Sequence, residues 1–295
     1  MVNSNYKDLT GKIVLGTCQF GYDYGITNIS GKPTKKEIFS ILSLAWEKGI
    51  RRFDTAPAYG SEKILGEFLS TQGLKEEAEV LTKIPSLVGS SDYQKVIRTT
   101  IETSLNHLGC SVEVLFFHNA ADSLLVKKDR KFFQNLLNEY PVSNLGVSVY
   151  EPMEVEKLSG CMFQLAFQFP FNLLDRRFEN ISMGKGKRYA RSVFLQGLLA
   201  SSNSLRPEAP KGLLDFQKKY HNKVDNLQLS PVGIAMSFVG TSDAIDYFLI
   251  GVDSEKHLEE ILELELYDQK DIAILKTLME KTDEKWLDPR NWSSK

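Results

Sequence analysis

The sequence predicts a (β/α)8 barrel, the α/β fold also called a TIM barrel, formed by a single domain of 295 residues. Eight short apolar segments alternate mostly with amphipathic helical segments, and no linker or low-complexity stretch divides them. A chain of this length suits one large barrel. The main rival, a Rossmann fold, should carry Gly-x-Gly-x-x-Gly after an early strand, and the sequence contains no such triplet.

The predicted strands are short apolar runs, and most of them end at a polar residue or a glycine. They cover Lys12–Thr17, Ile50–Asp54, Glu79–Lys83, Val112–His118, Asn144–Val149, Phe163–Phe169, Arg191–Leu195 and Ala244–Ile250. A Gly-x-Gly element at Met183–Lys187 follows no clear strand and is interpreted as a surface loop.

Several helices carry recognisable start signals. Thr34, with Glu37 three residues later, predicts a capping box ahead of an apolar face that includes Ile38 and Leu42. Further helices are predicted at Asp92–Leu108, Lys127–Tyr140 and Ser230–Val239. The helical pattern of residues 258–278 and the stretch after it, to Lys295, predict a C-terminal helical extension and tail.

Composition limits the function classes. The formal net charge is −2 with acids and bases mixed along the chain, so neither a nucleic-acid stripe nor a cationic membrane face is indicated. Three widely spaced cysteines favour a reducing compartment over a disulfide framework. The polar N-terminus and the lack of any apolar run near the roughly 18 residues of a membrane span predict a cytoplasmic protein with a small-molecule partner.

The stretch Arg52–Gly66 organises the chain as strand, loop and helix. Pro57 and Gly60 break the chain after the apolar run, and Ser61 is placed to cap the next helix. Asp54 and Tyr59 are therefore expected at the carboxyl end of the second strand. That end of a parallel barrel is where active sites are built.

Other strands also close with polar side chains. Collecting them gives Asp54, Lys83, His118, Ser148 and Gln168, with Tyr59 just beyond the second strand. A single histidine or lysine at such a position is more often structural than functional. Six polar residues in this order are difficult to explain as structural strand ends, so we expect them to form one site.

Four of these residues suggest carbonyl chemistry. A nearby lysine cation lowers the pKa of a phenol from about 10, and Lys83 is expected to act in this way on Tyr59. Asp54 would hold the ammonium of Lys83. The imidazole of His118 would donate a hydrogen bond to a substrate carbonyl oxygen, which Tyr59 then protonates.

The same residues resemble the aldo-keto reductase family. The signature Asp-Thr-Ala…Tyr-Gly…Glu…Leu-Gly is carried by residues 54–66, with one residue fewer than usual between Gly60 and Glu62. Further matches are Leu15-Gly16-Thr17, Leu81-Thr82-Lys83, Phe117-His118-Asn119, Gly146-Val147-Ser148, Phe167–Asn172 and Gln196–Leu199. The resemblance implies the catalytic tetrad Asp54, Tyr59, Lys83 and His118, and hydride transfer from a nicotinamide cofactor to an aldehyde or ketone without metal or flavin.

The resemblance also implies the cofactor residues. Ser148 and Gln168 would hold the nicotinamide amide, and the segments 191–196 and 251–260 would hold the phosphates and the adenosine end. The full cofactor set is Gly16, Thr17, Asp54, Ser148, Gln168, Arg191, Ser192, Gln196, Gly251, Asp253, His257 and Glu260. Residues 15–26 resemble a bacterial branch associated with sugars and cell-surface polysaccharides, which suggests a keto sugar or aldose as substrate.

Three positions depart from the family pattern. Val149 follows Ser148 where the family often has asparagine, and Arg191 falls where an aromatic residue usually stacks on the nicotinamide. The family habit favours NADP(H) over NAD(H). Asp253 lies where a 2′-phosphate would be bound, with only Lys256 and His257 as bases, so an unpaired carboxylate should weaken that preference.

Two alternatives stay open. A metal-dependent hydrolase would use Asp54 and His118, although His107, His221 and His257 form no His-x-His or His-Glu-x-x-His pattern. A dinucleotide-binding barrel with a regulatory or scaffold role would keep the fold and the cofactor site without catalysis. The sequence leaves the oligomeric state undetermined.

Overall fold

Eight parallel strands close into a barrel. The computed structural model describes residues 9–28, 31–207, 209–264, 266–278 and 284–292. Hydrogen bonds join the strands in chain order, and β1 pairs with β8 to close the sheet, which confirms the (β/α)8 prediction. The strands are β1 Ile13–Gly16, β2 Arg52–Asp54, β3 Glu79–Ile84, β4 Val112–Phe117, β5 Val142–Ser148, β6 Ala166–Pro170, β7 Arg188–Arg191 and β8 Tyr247–Gly251.

Alternation along each strand separates two apolar layers. One layer packs the sheet against the helices and includes Ile13, Phe53 and Val80. The other is a separate cluster inside the barrel, formed by Val14, Leu81, Val114, Phe116, Ala166 and Tyr189. Because side chains on a strand repeat their direction every two residues, the residue two positions after the last inner residue of a strand faces the carboxyl mouth of the barrel.

The longer helices cover the outside of the barrel. They are α1 Lys35–Glu47, α2 Glu62–Thr71, α3 Tyr93–Leu108, α4 Arg130–Glu139, α5 Pro152–Glu156, α6 Lys211–Asn226, α7 Pro231–Gly240, α8 Glu255–Leu262 and α9 Gln269–Leu278. One-turn α-helices lie at Cys18–Gly21 and Leu125–Lys128, and 3-10 turns at Pro57–Tyr59, Ala120–Leu124, Glu284–Trp286 and Pro289–Asn291. The Thr34–Glu37 capping box at the start of α1 is present as predicted.

The structure corrects the seventh strand. Of the predicted segment Arg191–Leu195 only Arg191 belongs to a strand. The residues after it form a turn, in which Ser192, Leu195 and Gln196 have positive φ angles of 59°, 46° and 55°. The strand precedes it at Arg188–Arg191, because those residues pair with β6 and β8. Residues 171–187 between β6 and β7 contain no helix, and Met183–Lys187 lies in this connection as expected.

The C-terminal region forms two helices, α8 and α9, where the pattern had predicted one helical stretch. Residues 279–283 and 293–295 of the predicted extension, and the polar N-terminal residues 1–8, lie outside the described part of the chain. None of the helices formed by the described residues has the length and apolar character needed to cross a membrane.

Candidate active site

The strand ends bring the predicted site residues to one face of the barrel. Counting two residues on from the inner layer, or from Leu249 packed against it, gives Gly16, Lys83, His118, Gln168, Arg191 and Gly251 at the mouth. Asp54 and Ser148 end β2 and β5 at the same level, which completes a set of eight residues. Neighbouring strands place several of them side by side, since Gly16 pairs in register with both Asp54 and Gly251, and Ser148 pairs with Gln168. All eight residues had been selected from the sequence.

A buried ion pair lies at the centre of the site. Lys83 Nζ donates to both carboxylate oxygens of Asp54, at 2.8 and 2.7 Å, and to the carbonyl oxygen of Thr55 at 2.9 Å. The two side chains are only 1% and 4% exposed. Gln168 Nε2 donates to Asp54 Oδ1 at 2.7 Å. The expected role of Asp54 as the holder of Lys83 therefore matches the geometry.

Tyr59 and His118 complete the cluster. Tyr59 ends the 3-10 turn that follows β2, and its ring centroid lies 4.9 Å from Lys83 Nζ. The His118 ring lies perpendicular to the Tyr59 ring, with 6.1 Å between the centroids. The four side chains predicted for catalysis thus form one contiguous group.

The protonation states differ in part from the sequence expectation. Burial and the Asp54 charge raise the pKa of Tyr59 well above that of a free phenol. The net lowering expected from Lys83 is not found, because burial and the Asp54 charge outweigh the attraction of an ammonium that Asp54 already pairs with. Burial, together with the charge of Lys83, lowers the pKa of His118 to about 4, so its imidazole is neutral near pH 7.

Thr17 has a structural contact instead of a free side chain. Its hydroxyl donates to the carbonyl oxygen of Asp54 at 2.9 Å and lies 2.8 Å from Ser61 Oγ. Ser61 Oγ also lies 2.9 Å from Thr55 Oγ1. Ser61 does occupy the N-cap position of α2, but its side chain does not cap the helix as predicted. These hydroxyls instead tie β1 to the loop that carries Tyr59.

The loop after β1 adds residues that sequence reasoning had missed. The Cys18 thiol donates to the Tyr22 hydroxyl at 2.9 Å, and the Tyr22 ring centroid lies 6.4 Å from that of Tyr59. Burial raises the pKa of the Cys18 thiol to about 12, so it remains protonated. A Cβ atom on Gly21 would lie 1.4 Å from the Tyr59 carbonyl oxygen, so this loop rests directly on the Tyr59 backbone. The tyrosine-rich composition of residues 18–31 was the available signal.

The loop after β7 is fixed by contacts with its neighbours. Asn172 Nδ2 donates to the carbonyl oxygen of Ser192 at 3.0 Å. Thr27 Oγ1 lies 3.5 Å from the carbonyl oxygen of Gln196. The Arg191 guanidinium lies 3.9 Å above the ring centroid of Tyr150, another residue that sequence reasoning missed. The loop therefore keeps its left-handed residues in a defined conformation beside the mouth.

The pairing of Asp253 corrects another expectation. Asp253 Oδ1 lies 2.5 Å from His257 Nδ1, so the carboxylate predicted to be unpaired has a partner. This contact lowers the pKa of Asp253 and raises that of His257. Glu260 lies 3.5 Å from Lys256 on the exposed side of α8. The spacing of four residues between Asp253 and His257 was a signal that the sequence contained.

The donor set at the ends of β5 to β8 fits a dinucleotide. Ser148 and Gln168 offer a hydroxyl and a carboxamide side by side, and helix α8 begins directly after β8. A helix N-terminus suits a phosphate, because its first N–H groups and the helix dipole favour an anion. Arg191, at the end of β7, adds a cation on this side of the mouth, whereas Lys256 and His257 are paired with Glu260 and Asp253.

The fold and this site define the class, a (β/α)8 barrel oxidoreductase. The sequence model of the aldo/keto reductase family matches residues 12–280, and the chain belongs to that family. Aldo-keto reductases use NAD(P)H without metal or flavin.

Individual relatives agree with this assignment. The chain is 24% identical to the norsolorinic acid reductase of Emericella nidulans, over 80% of the chain and 67% of that protein. It is 41% identical to the D-threo-aldose 1-dehydrogenase of a Pseudomonas species over 71 residues, which are 22% of the chain and 21% of that protein. Among solved structures, the glycerol dehydrogenase of Gluconobacter oxydans matches in fold with a TM-score of 0.68 at 19% identity, over 92% of the chain and 94% of that protein.

Proposed function

We propose that this protein reduces an aldehyde or ketone to an alcohol and that Tyr59 donates the proton. The observation that carries the proposal is the buried Asp54–Lys83 pair beside the Tyr59 ring, with the neutral His118 ring across from it. A buried phenol with a raised pKa is protonated at neutral pH, as an acid must be before it gives up its proton.

Each residue has a separate part in the reaction. His118, as a neutral imidazole, donates a hydrogen bond to the carbonyl oxygen and fixes its position. Tyr59 transfers its proton to that oxygen and is left as a phenolate, which the nearby Lys83 ammonium stabilises. Asp54 and the Thr55 carbonyl keep Lys83 in place, and Gln168 keeps Asp54 in place.

The cofactor would be held on the β5 to β8 side of the mouth. When bound there, the nicotinamide supplies the hydride that adds to the carbonyl carbon. Ser148 and Gln168 would hold its carboxamide, and Ser192, Gln196 and the start of α8 would hold the phosphates. We propose NADPH as the preferred form, with a modest preference over NADH.

A sugar or keto sugar is the proposed substrate. The support is the motif at residues 15–26 and the short match to a protein named for its action on an aldose. The hydroxyl groups of such a substrate would form hydrogen bonds with Tyr22 and Tyr24 in the loop after β1.

The test is a spectrophotometric assay of reduced-cofactor oxidation against a panel of aldehydes, ketones and sugars. We expect turnover by the wild-type protein and a loss of roughly 10² to 10⁴-fold or more in Tyr59→Phe, with cofactor binding retained in a fluorescence titration. Tyr93→Phe is the matched control, because the Tyr93 hydroxyl donates to Asp129 at the start of α4, on the outside of the barrel. Cofactor binding without turnover of any carbonyl would instead favour the regulatory barrel.

A further inference from the structure

Arg191 presents a cation to the mouth of the barrel. It lies two residues after Tyr189, which belongs to the inner layer, so its side chain faces the same way as Lys83 and Gln168. Its charge acts on His118, whose pKa it helps to lower, and on Tyr24 of the β1 loop. The guanidinium is therefore close to the residues that would surround a substrate.

The neighbouring cations already have carboxylate partners. Lys83 is bound by Asp54, Arg290 by Asp288, and Arg177 by Asp175 and Glu151. Over the described ranges of the chain, Arg191 forms an ion pair with none of the acidic residues. The charge of Arg191 is therefore left without a carboxylate partner among the described side chains.

Local contacts fix the orientation of this guanidinium. One terminal nitrogen, Nη2, donates to the carbonyl oxygen of Val149 at 3.1 Å, and the other lies 3.5 Å from Ser192 Oγ. The Tyr150 ring supports its flat face at 3.9 Å. A guanidinium has five N–H donors, so donors remain for a ligand after these two contacts. Such a preorganised fork matches the two oxygens of a carboxylate.

We propose that Arg191 is an anion subsite of the substrate pocket and that the preferred carbonyl substrate carries a carboxylate. The guanidinium would bind the carboxylate while the carbonyl group lies beside Tyr59 and His118. This inference rests on the proposed function and narrows its substrate class to carbonyl acids, such as a sugar acid with a keto or aldehyde group. A cofactor phosphate has the same chemistry, and the test separates the two sources.

The test compares 4-carboxybenzaldehyde with its neutral methyl ester. We expect the wild-type protein to favour the acid in kcat/KM, and we expect the acid-to-ester ratio to fall at least tenfold in Arg191→Gln through a higher KM for the acid. Arg191→Lys keeps the charge but loses the fork, so its ratio should lie between the two. Arg290→Gln is the matched control, since Arg290 stacks on the same Tyr150 ring at 3.5 Å but is paired with Asp288. Its ratio should stay within about twofold of wild type.

Two binding measurements distinguish a substrate carboxylate from a cofactor phosphate as the partner of Arg191. If Arg191→Gln leaves the ratio unchanged but weakens NADPH and NADH binding tenfold in a fluorescence titration, the guanidinium serves a cofactor phosphate and the proposal is wrong. If the wild type reduces neither aldehyde, the proposed function is in question, yet calorimetric titration with benzoate and benzamide still tests the subsite. Tighter binding of benzoate that is lost in Arg191→Gln supports it, and equal binding of both compounds overturns it.

Discussion

Gln168 and Lys83 donate hydrogen bonds to the same oxygen of Asp54, at 2.7 and 2.8 Å. Replacing Gln168 by Glu would put a second carboxylate against Asp54, and like charges raise the pKa of one of the pair above its unfolded value. A carboxyl group whose pKa is higher in the folded than in the unfolded protein stabilises the fold at low pH, and this stabilisation is lost as the pH rises. We therefore expect Gln168→Glu to be destabilised increasingly between about pH 4 and 8.

Thermal melts of the wild type and of Gln168→Leu provide the comparison. The Leu variant loses the hydrogen bond to Asp54 without adding a charge. Its unfolding free energy should therefore be lower than that of the wild type by about 1 to 3 kcal/mol, and this difference should not depend on pH. If the loss of stability in Gln168→Glu were also independent of pH, the introduced carboxylate and Asp54 would have moved apart.

The Asp54–Lys83 pair should behave as a coupled unit. Removing one partner leaves a buried charge, so Lys83→Met should cost about 3 to 5 kcal/mol of unfolding free energy. The double variant Asp54→Asn/Lys83→Met should lose less than the sum of the single losses, as urea titrations would measure. In activity, Lys83→Met should be inactive and Asp54→Asn less impaired. Strict additivity would contradict the coupling.

His118 should remain neutral across the physiological range. Its folded pKa of about 4 lies below the ordinary value near 6.5, so the unfolded chain binds more protons between these values. The stability that His118 contributes is therefore lost as pH falls from about 6.5 towards 4. Chemical denaturation at several pH values should show a smaller acid loss in His118→Gln.

The pH profile of activity tests the same residue together with Tyr59. Carbonyl reduction should show no step from His118 between about pH 5 and 8, and no basic limb where an ordinary phenol begins to titrate. A limb near pH 6.5 that disappears in His118→Gln would show that the imidazole works as a charged acid.

The Asp253–His257 pair predicts a pH-dependent cofactor preference. The raised pKa of His257 keeps the pair neutral at lower pH, and loss of that proton leaves the Asp253 carboxylate unbalanced. NADPH should then bind more weakly as pH rises, while NADH changes little. Asp253→Arg should tighten NADPH by about 1 to 3 kcal/mol. Fluorescence titrations of both cofactors decide this, and equal effects on the two would place Asp253 away from the 2′-phosphate.

The sequence predicted the fold and the four central residues because strand ends are local features. An apolar run that stops at Asp54, Lys83 or His118 marks both the strand and the inward-facing side chain. The seventh strand was misplaced because Ser-Val-Phe-Leu is as apolar as a strand, and only its left-handed Ser192 and Leu195 make it a turn. Sequence patterns contain no direct signal for such angles in residues other than glycine.

Charge states were less predictable than positions. The pKa of Tyr59 depends on how deeply the folded chain buries it and on the prior pairing of Lys83 with Asp54, and both are tertiary facts. The stack of Arg191 and Arg290 on Tyr150 joins residues far apart in the chain, so no local spacing indicated it. The Asp253–His257 pair, in contrast, has the four-residue spacing at which side chains meet on a helix, so the sequence contained a signal for it.

The contact between Gly21 and the Tyr59 backbone limits how this enzyme can be re-engineered. Barrel enzymes are often altered by exchanging one mouth loop at a time, on the assumption that each loop is an independent module. Here the loop after β1 and the turn after β2 are in van der Waals contact through a residue that tolerates no side chain. A graft that replaced residues 18–31 alone would therefore shift Tyr59, the proposed proton donor, so the two segments must be transplanted together.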